Sequence, residues 1–487
     1  MQKQFPFFVF TTAILVALIL PTLLQDGMFM DGLLYASVSK NLADGISSFW
    51  FPHFSKTLHP FFDQQPPLGF GIQALFFKMF GGSMYVERGY SFLTALINAA
   101  LIAVLWGMIF KNEREIKKLS WLPVLFWITI PVCFWAYSNN VLENTLSVFD
   151  LLAVIFIVRF FQTSSFLLII LSGIFIFLAS LTKGIQGMFP LIAFLGGWAV
   201  NFPFEGGSRR TGSVAHKNIS FRETVFYSLL LFLVPFTIYF ILLQNNTIFQ
   251  SLSAYLHNRV LNSIQNVVAV ENRFYLIYRL FLELMPMMAL SIMIVLLMRK
   301  QKKEEVPVPF FKKQILFFLL TGVSASFPLI VTLEQRGFYL VTSFPYFAIA
   351  MAAVSAPYVS VLIGKINIQS RLFKIFRLLS FLLLIGSLIF SFLQTGKASR
   401  DKDTLHDVHL IGRIVSGGVV VGATPALWRQ WSFQEYLIRH YYICLDSRIK
   451  RENDYVILES GTAAPDSINI EKVNIPTIRY HLYKVKK

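Results

Sequence analysis

The sequence predicts an all-α polytopic membrane protein with a small α/β domain at its C-terminal end. Of the 487 residues, 55% are hydrophobic and 14% are charged, whereas about 25% are charged in an ordinary soluble domain. The apolar residues form runs of the length that a helix needs to cross a bilayer, about 20 residues. After residue 394 the composition becomes polar and the apolar runs become short. The natural solvent of most of the chain is therefore lipid.

Eleven apolar runs qualify as membrane-spanning helices. The first begins after Lys3 and resembles a signal peptide, but no small-residue cleavage site precedes Gln25, so we expect it to be retained. The sequence thus predicts about eleven spans. They are 6–24, 90–110, 119–138, 142–160, 165–182, 185–202, 225–243, 279–298, 314–332, 338–358 and 376–394.

The net charge of +17 arises from short basic clusters between apolar runs, so nucleic acid is a poor explanation for it. With the spans counted as above, four basic loops fall on one side, which the positive-inside rule makes cytoplasmic. The N-terminus is then inside, and 25–89, 244–278 and 395–487 are outside. The basic residues are Lys111, Arg114, Lys117 and Lys118; Arg209, Arg210, Lys217 and Arg222; Arg299, Lys300, Lys302, Lys303, Lys312 and Lys313; and Lys365, Arg371, Lys374 and Arg377.

Two long outer loops have helical periodicity. In 25–89, Leu34, Val38 and Leu42 recur on one helical face before Gly45, which predicts an amphipathic helix in the membrane interface. Loop 244–278, the fourth outer loop, has a similar pattern. In 395–487, "GGVVVGA" and "DYVILES" predict strands and "WSFQEYLIRHYY" a helix. The predicted domains are a membrane domain, 1–394, and a soluble outer domain, 395–487.

Ionisable groups near the membrane are costly and are therefore functional candidates. Most of the candidates map to outer loops or outer helix ends. Such cations could bind an anionic phosphate, and a carboxylate could accept a proton from a hydroxyl or amine. The candidates are Asp26, Asp31, Arg88, Glu143, Lys183, His257, Arg259, Arg273 and Arg336.

The ordered motifs resemble the GT-C glycosyltransferases, in particular the branch of protein O-mannosyltransferases and lipid A aminoarabinose transferases. The resemblance covers roughly residues 1–360 and leaves out 395–487. The motifs are "MDGLLYASVSKNLADG", "HPFFDQQPPLGFGIQALFFKMFGG", "ERGYSFLTAL", "SLTKGIQGMFPL" and "EQRGFYLVTSFPYFAIA".

The resemblance implies a transferase that uses a sugar on a polyprenyl phosphate and inverts the anomeric centre at the outer face. Asp31 matches the first acid of the family's acidic pair, but Gly32 stands where the second acid would be. Likewise, Gln65 replaces the acid before Pro-Pro-Leu, although Asp63 is close. These departures argue against a two-carboxylate metal site in this loop.

Roles follow from the same comparison and from position. Asp31 is the expected general base, with Glu143 as a second catalytic residue that orients the acceptor or a cation. The expected phosphate-binding residues are Arg336, Lys183, Arg88 and Arg259. No ligand cluster requires a metal, and a divalent cation stays an open alternative.

Each candidate has a structural alternative. Asp31 and Glu143 could be N-caps, and Asp26 could be a turn residue. Lys183 and Arg88 could be interface anchors whose charged ends reach the headgroups. The remaining two arginines have alternatives of their own: Arg259 could lie on a solvated face, and Arg336 could be neutralised by Glu334.

Two other functions stay open: a transporter or flippase of lipid-linked saccharides, and a polymerase or ligase of such saccharides. Transporters usually show internal repeats and midplane charges, whereas this sequence shows no repeat and its charges collect at one face, in long loops. The resemblance implies the bacterial inner membrane, with the active site and the C-terminal domain facing the periplasm. The expected partners are a polyprenyl-phosphate sugar, membrane lipid, and an acceptor that could be a glycan, lipid A or a protein. The sequence does not identify the sugar or choose among the acceptors.

Overall fold

The chain forms two compact units in the computed structural model, which describes residues 2–202, 219–265, 269–300, 311–463 and 468–486. Unit one contains Met1–Pro21, Phe92–Tyr137 and Leu142–Ser391; unit two contains Thr22–Ser91, Ser138–Val141 and Phe392–Lys487. Unit two thus groups much of the predicted first outer loop with the C-terminal segment. The predicted domain boundary at residue 394 stays a prediction.

The described residues are mostly helical, with one small sheet. The α-helices are α1 (Phe5–Leu23), α2 (Met30–Ala43), α3 (Leu68–Phe80), α4 (Tyr85–Ile109), α5 (Arg114–Lys117), α6 (Trp121–Ile128), α7 (Pro131–Tyr137), α8 (Leu142–Thr163), α9 (Phe166–Lys183), α10 (Ala193–Ala199), α11 (Phe221–Leu242), α12 (Asn246–Tyr255), α13 (Asn262–Gln265), α14 (Tyr275–Lys300), α15 (Lys312–Ser326), α16 (Phe344–Lys365), α17 (Arg371–Phe392), α18 (Lys402–Gly412), α19 (Pro425–Trp428) and α20 (Trp431–Tyr441). Three 3₁₀ segments and one π-helical segment join them: Gly184–Ile192, Phe327–Val331, Gly337–Ser343 and Leu256–Leu261.

Among the described residues, nine helical stretches are long and apolar enough to cross a membrane. The prediction of a polytopic membrane protein is therefore confirmed. The stretches Leu142–Thr163, which is α8, and Gly337–Lys365, which contains α16, are the most enclosed. In their most apolar parts, 72% and 61% of the residues are buried inside the protein. Helix α8 packs against α9, and α16 packs against α6, α14 and α15. These contacts form the core of unit one.

Three predicted spans have a different form in the structure. The run 119–138 is divided into α6 and α7, because Pro131 begins α7 and the residue before a proline disfavours helical backbone. The runs 165–182 and 185–202 form one 34-residue stretch, Phe166–Ala199. Within it, Gly184 ends α9 at a φ of +63° and the chain continues as a 3₁₀ segment. The basic residues Arg209, Arg210, Lys217, Lys302 and Lys303 lie outside the described residues.

Helices are present in both long outer loops. The periodicity at Leu34, Val38 and Leu42 corresponds to α2, and Gly45 follows its end with a φ of +76°. This helix packs against α3 and α20 inside unit two, so its buried residues extend beyond one narrow stripe. The second loop contains α12, the π-helical segment and α13. Whether either loop lies in the membrane interface stays a prediction.

The C-terminal segment contains the predicted small α/β structure. Its strands are β1 (Val420–Ala423), β2 (Cys444–Asp446), β3 (Tyr455–Glu459), β4 (Ile470–Lys472) and β5 (Tyr480–Val485). The order across the sheet is β2-β1-β3-β5-β4. Strand β1 pairs in parallel with β2 and β3, whereas β5 runs antiparallel to β3 and β4.

One hydrophobic core connects this sheet to the start of the predicted first outer loop. Val421 of β1 and Ile457 of β3 belong to the same buried cluster as Leu437 of α20. Met28 and Leu33, from α2 and the segment before it, belong to the cluster as well. Burying a side chain of this kind contributes about 1.5–3 kcal/mol. This core positions α2 and its acid within unit two.

Candidate functional site

Asp31 lies in the first turn of α2. The N-cap of this helix is Phe29, which has no capping side chain, so the alternative that Asp31 is the N-cap is wrong. A carboxylate in the first turn interacts favourably with the helix dipole, by about 0.3–1 kcal/mol. The side chain is half-buried, so it keeps partial access to solvent.

Gly32 is enclosed by the backbone of Asn139. A Cβ atom at position 32 would lie 2.0 Å from the carbonyl oxygen of Asn139. The neighbouring Asn140 donates a hydrogen bond from Nδ2 to the carbonyl of Gly32, at 3.3 Å, and accepts one from Gln73 at 2.8 Å. Only glycine fits here without movement of the backbone. The second acid of the family pattern therefore has a steric reason to be missing.

A second carboxyl group, Glu435 of α20, interacts electrostatically with Asp31. Burial raises the pKa of Glu435 well above its ordinary value, and the negative charge of Asp31 raises it further, against a smaller opposite effect of Arg400. Glu435 is 1% exposed. Its Oε2 has no hydrogen-bond partner among the described residues. Unit two thus contains a second carboxyl group, with a raised pKa, that interacts electrostatically with the predicted base.

Asp26, which follows α1, is the centre of a second polar cluster. Its Oδ2 lies 2.9 Å from Nε2 of His409, and its Oδ1 lies 3.7 Å from Nε2 of His440. Arg88 approaches Oδ1 at 3.7 Å, and the backbone N–H of Gly27 donates to it at 2.7 Å. Burial raises the pKa of Asp26, but the hydrogen bond from His409 and the other partners lower it by more, to about 2. Asp26 is therefore more than a turn residue, because its carboxylate is the centre of a cluster of polar side chains.

Arg88 is 2% exposed and largely occupied by protein groups. Its Nε donates to the carbonyl of Gln25, and its Nη1 donates to the carbonyl of Met84 and to Glu87, at 3.2, 2.9 and 3.2 Å. Only Nη2 has no hydrogen-bond partner among the described residues. A role of Arg88 in phosphate binding stays a prediction.

Glu87 and Arg439 form a buried ion pair that the sequence analysis did not identify. Arg439 Nη2 and Nε lie 2.6 and 3.1 Å from the two carboxylate oxygens of Glu87. The guanidinium also donates to the carbonyls of Gly82 and Ser83. Such forked geometry is among the stronger charged contacts in proteins. No local pattern signals it, because the two residues lie far apart in the chain.

Glu143 and Lys183 form an ion pair in unit one. Glu143 is in the first turn of α8 and Lys183 is the last residue of α9, so each charge is favoured by the dipole of its own helix. Lys183 Nζ also lies 4.5 Å from the ring centroid of Tyr339 and 5.7 Å from that of Phe338. Two predicted site residues are thus brought together. Lys183 is buried rather than placed as a surface anchor.

The alternative in which Glu334 neutralises Arg336 is wrong. Glu334 Oε1 lies 2.5 Å from Nη2 of Arg259, in the π-helical segment. Arg336 is exposed and forms no ion pair within the described part of the chain. It directly precedes the 3₁₀ segment that carries Phe338 and Tyr339. Arg336 and Lys183 therefore flank the same short segment of unit one.

Two further residues of unit one were missed. Arg279 pairs with Glu283 at 2.6 Å, and a Cβ atom at Gly337 would lie 3.1 Å from its Nε. Asp150, within span α8, is fully buried, and neither of its carboxylate oxygens has a hydrogen-bond partner among the described residues. Ionisable groups inside a span are functional candidates by default. A charge inside the apolar run 142–160 was the available signal.

The chain has the fold of a polytopic integral membrane protein, and this fold is similar to that of two solved ArnT structures. The similarity to ArnT from Cupriavidus metallidurans bound to undecaprenyl phosphate covers 97% of each chain, with a TM-score of 0.59 and 12% identity. ArnT in the apo state gives the same TM-score at 10% identity, covering 97% of this chain and 96% of ArnT. The GT-C-like fold expected from the sequence is therefore confirmed.

A weaker similarity is to AglB from Archaeoglobus fulgidus, an archaeal oligosaccharyltransferase in complex with an inhibitory peptide and a dolichol-phosphate. The TM-score is 0.45 at 13% identity, covering 92% of this chain and 69% of AglB. No family model matches the sequence. No curated protein matches it either.

Proposed function

We propose that this protein transfers a sugar from a polyprenyl phosphate to an acceptor outside the cytoplasm. The observation that carries the proposal is the similarity, over 97% of both chains, to an ArnT structure bound to undecaprenyl phosphate. The sequence motifs support the same reaction independently, because they occur in the order of a branch that uses such donors. The proposed location is the bacterial inner membrane, with Asp31 and the C-terminal domain facing the periplasm.

The donor phosphate is assigned to cations of unit one. Arg336 is exposed beside the segment Gly337–Ser343, and Lys183 contacts the rings of that segment. Arg259 forms an ion pair with Glu334, which lies two residues before Arg336 in the sequence. These cations would neutralise the phosphate as it leaves with the electron pair of the broken bond, which is where charge develops in the transition state.

The prenyl chain is assigned to an apolar groove in unit one with a volume of about 560 Å³. The groove lies between α10 and α15 and continues along the 3₁₀ segment that ends at Val331. Its lining is almost free of polar atoms, which suits an isoprenoid chain. The lining residues include Leu195, Gly196, Leu320, Phe327 and Val331.

Asp31 is the proposed general base. It would take the proton of an acceptor hydroxyl or amine as that atom attacks the anomeric carbon. The bond from this carbon to the phosphate oxygen breaks in the same step, which inverts the centre and releases polyprenyl phosphate. Glu143 is proposed to orient the acceptor. The acceptor itself, a glycan, lipid A or a protein, is left open by this chemistry.

Donor binding tests the phosphate and groove assignments directly. In native mass spectrometry of the purified protein, we expect one undecaprenyl phosphate to bind and Arg336→Ala to weaken binding by about 10-fold or more, as loss of a charge-assisted contact predicts. Gly196→Phe should also weaken binding, because the nearest atom to its Cβ is 4.0 Å away and the new ring would occupy the groove. Gly386→Phe, at an open position of α17, is the matched control.

The reaction is tested in the cell envelope. Mass spectrometry of lipid A, glycans and glycoproteins from a deletion strain should show the loss of one sugar, restored by the wild-type gene but not by Asp31→Asn. Intact lipid-linked saccharide retained on the cytoplasmic side would instead indicate a flippase. A strain with no missing sugar would contradict the proposed transfer.

A further inference from the structure

The cluster around Asp26 brings together three side chains that can ligate a metal. The candidate ligand atoms of Asp26, His409 and His440 all lie within 4.8 Å of one another. The carboxylate lies 2.9 Å from Nε2 of His409 and 3.7 Å from Nε2 of His440, and the imidazole rings are 5.0 Å apart. In a tetrahedral site, atoms at about 2.0–2.1 Å from zinc are about 3.3 Å apart. Small side-chain movements would reach that geometry.

The three ligands come from three separate segments of unit two. Asp26 follows α1, His409 lies near the end of α18, and His440 is the penultimate residue of α20. A backbone hydrogen bond from Asp26 to the carbonyl of Lys397 fixes the first segment. Because helices hold two of the ligands, their relative positions are set by the packing of α18 on α20.

His440 is the observation that points to a ligand rather than to a simple hydrogen-bonded cluster. Its side chain is 10% exposed, and its Nε2, which faces Asp26, has no hydrogen-bond partner among the described residues. Leaving a buried polar atom unsatisfied costs about 1–3 kcal/mol. A metal ion coordinated by this nitrogen would remove that cost.

His409 has the second partner that metal-bound histidines usually have. Its Nδ1 lies 2.9 Å from the hydroxyl oxygen of Tyr441. With a metal on Nε2, Nδ1 carries the proton and donates to this oxygen, which orients the ring. Tyr441 comes from α20, the helix that also carries His440.

The charges around the cluster permit a divalent cation. Arg88 lies 3.7 Å from Asp26, and it is itself in contact with Glu87, which also pairs with Arg439. The two arginines are therefore matched by Glu87 and Asp26. One carboxylate and two neutral imidazoles would hold the metal, and zinc sites with three neutral histidines show that such a small ligand charge is sufficient.

We propose that Asp26, His409 and His440 bind one divalent transition metal ion, with Zn²⁺ as the best fit to two imidazoles and one carboxylate. The fourth position is open to water. The ion ties the segment after the first span to α18 and α20, so its main effect is on the stability of unit two. Neither the sequence motifs nor the proposed transfer reaction requires it.

Co²⁺ is the sharpest probe, because tetrahedral coordination gives it intense visible d–d absorption. The full-length protein, purified with a tag other than polyhistidine and washed with a chelator, is titrated with CoCl₂ and then with ZnCl₂. We expect one equivalent of Co²⁺ to produce the bands and Zn²⁺ to abolish them. Zn²⁺ should also raise the melting temperature of the chelated protein.

Three variants locate the site. His409→Ala and His440→Ala should each remove the Co²⁺ bands and the thermal shift, whereas His406→Ala, an exposed histidine one turn away on α18, should keep both. His409→Gln and His440→Gln, checked by size-exclusion chromatography, repeat the test if the alanine variants fail to fold. No stoichiometric Co²⁺ binding by the wild-type protein, or binding that survives the loss of both histidines, would overturn the proposal.

Discussion

The two units hold their buried charges in different ways. In unit one, Glu143 pairs with Lys183, Glu334 with Arg259, and Glu283 with Arg279, and no residue is common to these three ion pairs. In unit two the charges form a connected network. There Glu87 contacts two arginines, and Asp26 contacts one arginine and two histidines.

This difference indicates which charges are available for chemistry. A cation in one of these separate ion pairs can exchange its carboxylate for a lipid phosphate by breaking one ion pair. A cation in a network can be withdrawn only by leaving several groups unsatisfied, each at a cost of about 1–3 kcal/mol. We therefore expect substitutions of the paired cations in unit one to change donor binding and substitutions in unit two's network to change stability.

The largest effect on the transfer rate is expected from a substitution of Asp31. This substitution would distinguish a chemical role of a residue in unit two from a structural one. Asp31→Asn should lower the transfer rate by about 10²–10⁴-fold, as loss of a general base does, with little change in the melting temperature. Asp44→Asn, at the exposed C-terminal end of the same helix, is the control. A fully active Asp31→Asn protein would remove Asp31 from this role.

The next effect tests the network of unit two. Arg439→Met leaves the buried carboxylate of Glu87 with only Arg88 as a charged partner, so we expect a loss of about 3–5 kcal/mol in the free energy of unfolding. Denaturation monitored by circular dichroism in detergent would measure it. Arg429→Met, at an exposed position after α19, should have almost no effect. Equal effects of the two variants would contradict the network description.

The pairs of unit one should respond in binding instead. Lys183→Met should weaken undecaprenyl phosphate binding by about 10–100-fold, because a charge-assisted contact is worth about 1.5–3 kcal/mol. Glu143→Gln should keep that binding, since it leaves the lysine in place. Isothermal titration of both variants and the double variant gives the coupling energy. Equal losses in the two single variants would mean that the pair acts as a structural unit.

The smallest expected effect concerns Glu435 and its pH dependence. Because its pKa is raised in the folded protein, folding favours the protonated acid. That stability is complete below the ordinary pKa of glutamate and is lost as the pH rises through the folded value. Glu435→Gln should therefore stabilise the protein by about 1 kcal/mol at the alkaline end and change little at pH 4. Melting curves of Glu435→Gln and of the wild type across this pH range would measure the difference. The neighbouring Gln434→Ala is not a suitable control, because the amide of Gln434 is buried.

More of the fold than of the candidate site could be predicted from the sequence. Regular signals worked for α2, where periodicity and Gly45 gave both the helix and its end. They failed at 119–138, because hydropathy does not register the break that Pro131 introduces. Residues that depend on distant contacts, such as Glu435 and His440, carried no local signal. Closeness in sequence made Glu334 a possible partner of Arg336, whereas the structure pairs it with Arg259 from another segment.

The contact between Gly32 and the carbonyl of Asn139 limits how this protein could be redesigned. A single Gly32→Asp or Gly32→Glu exchange, intended to rebuild the acidic pair of related sequences, would force two backbones apart instead of adding a usable carboxylate. Any engineering route to a two-acid loop must first reshape the segment around Asn139. In genetic terms, position 32 and the segment 138–141 are epistatic, and mutations at the two sites would have to be selected together.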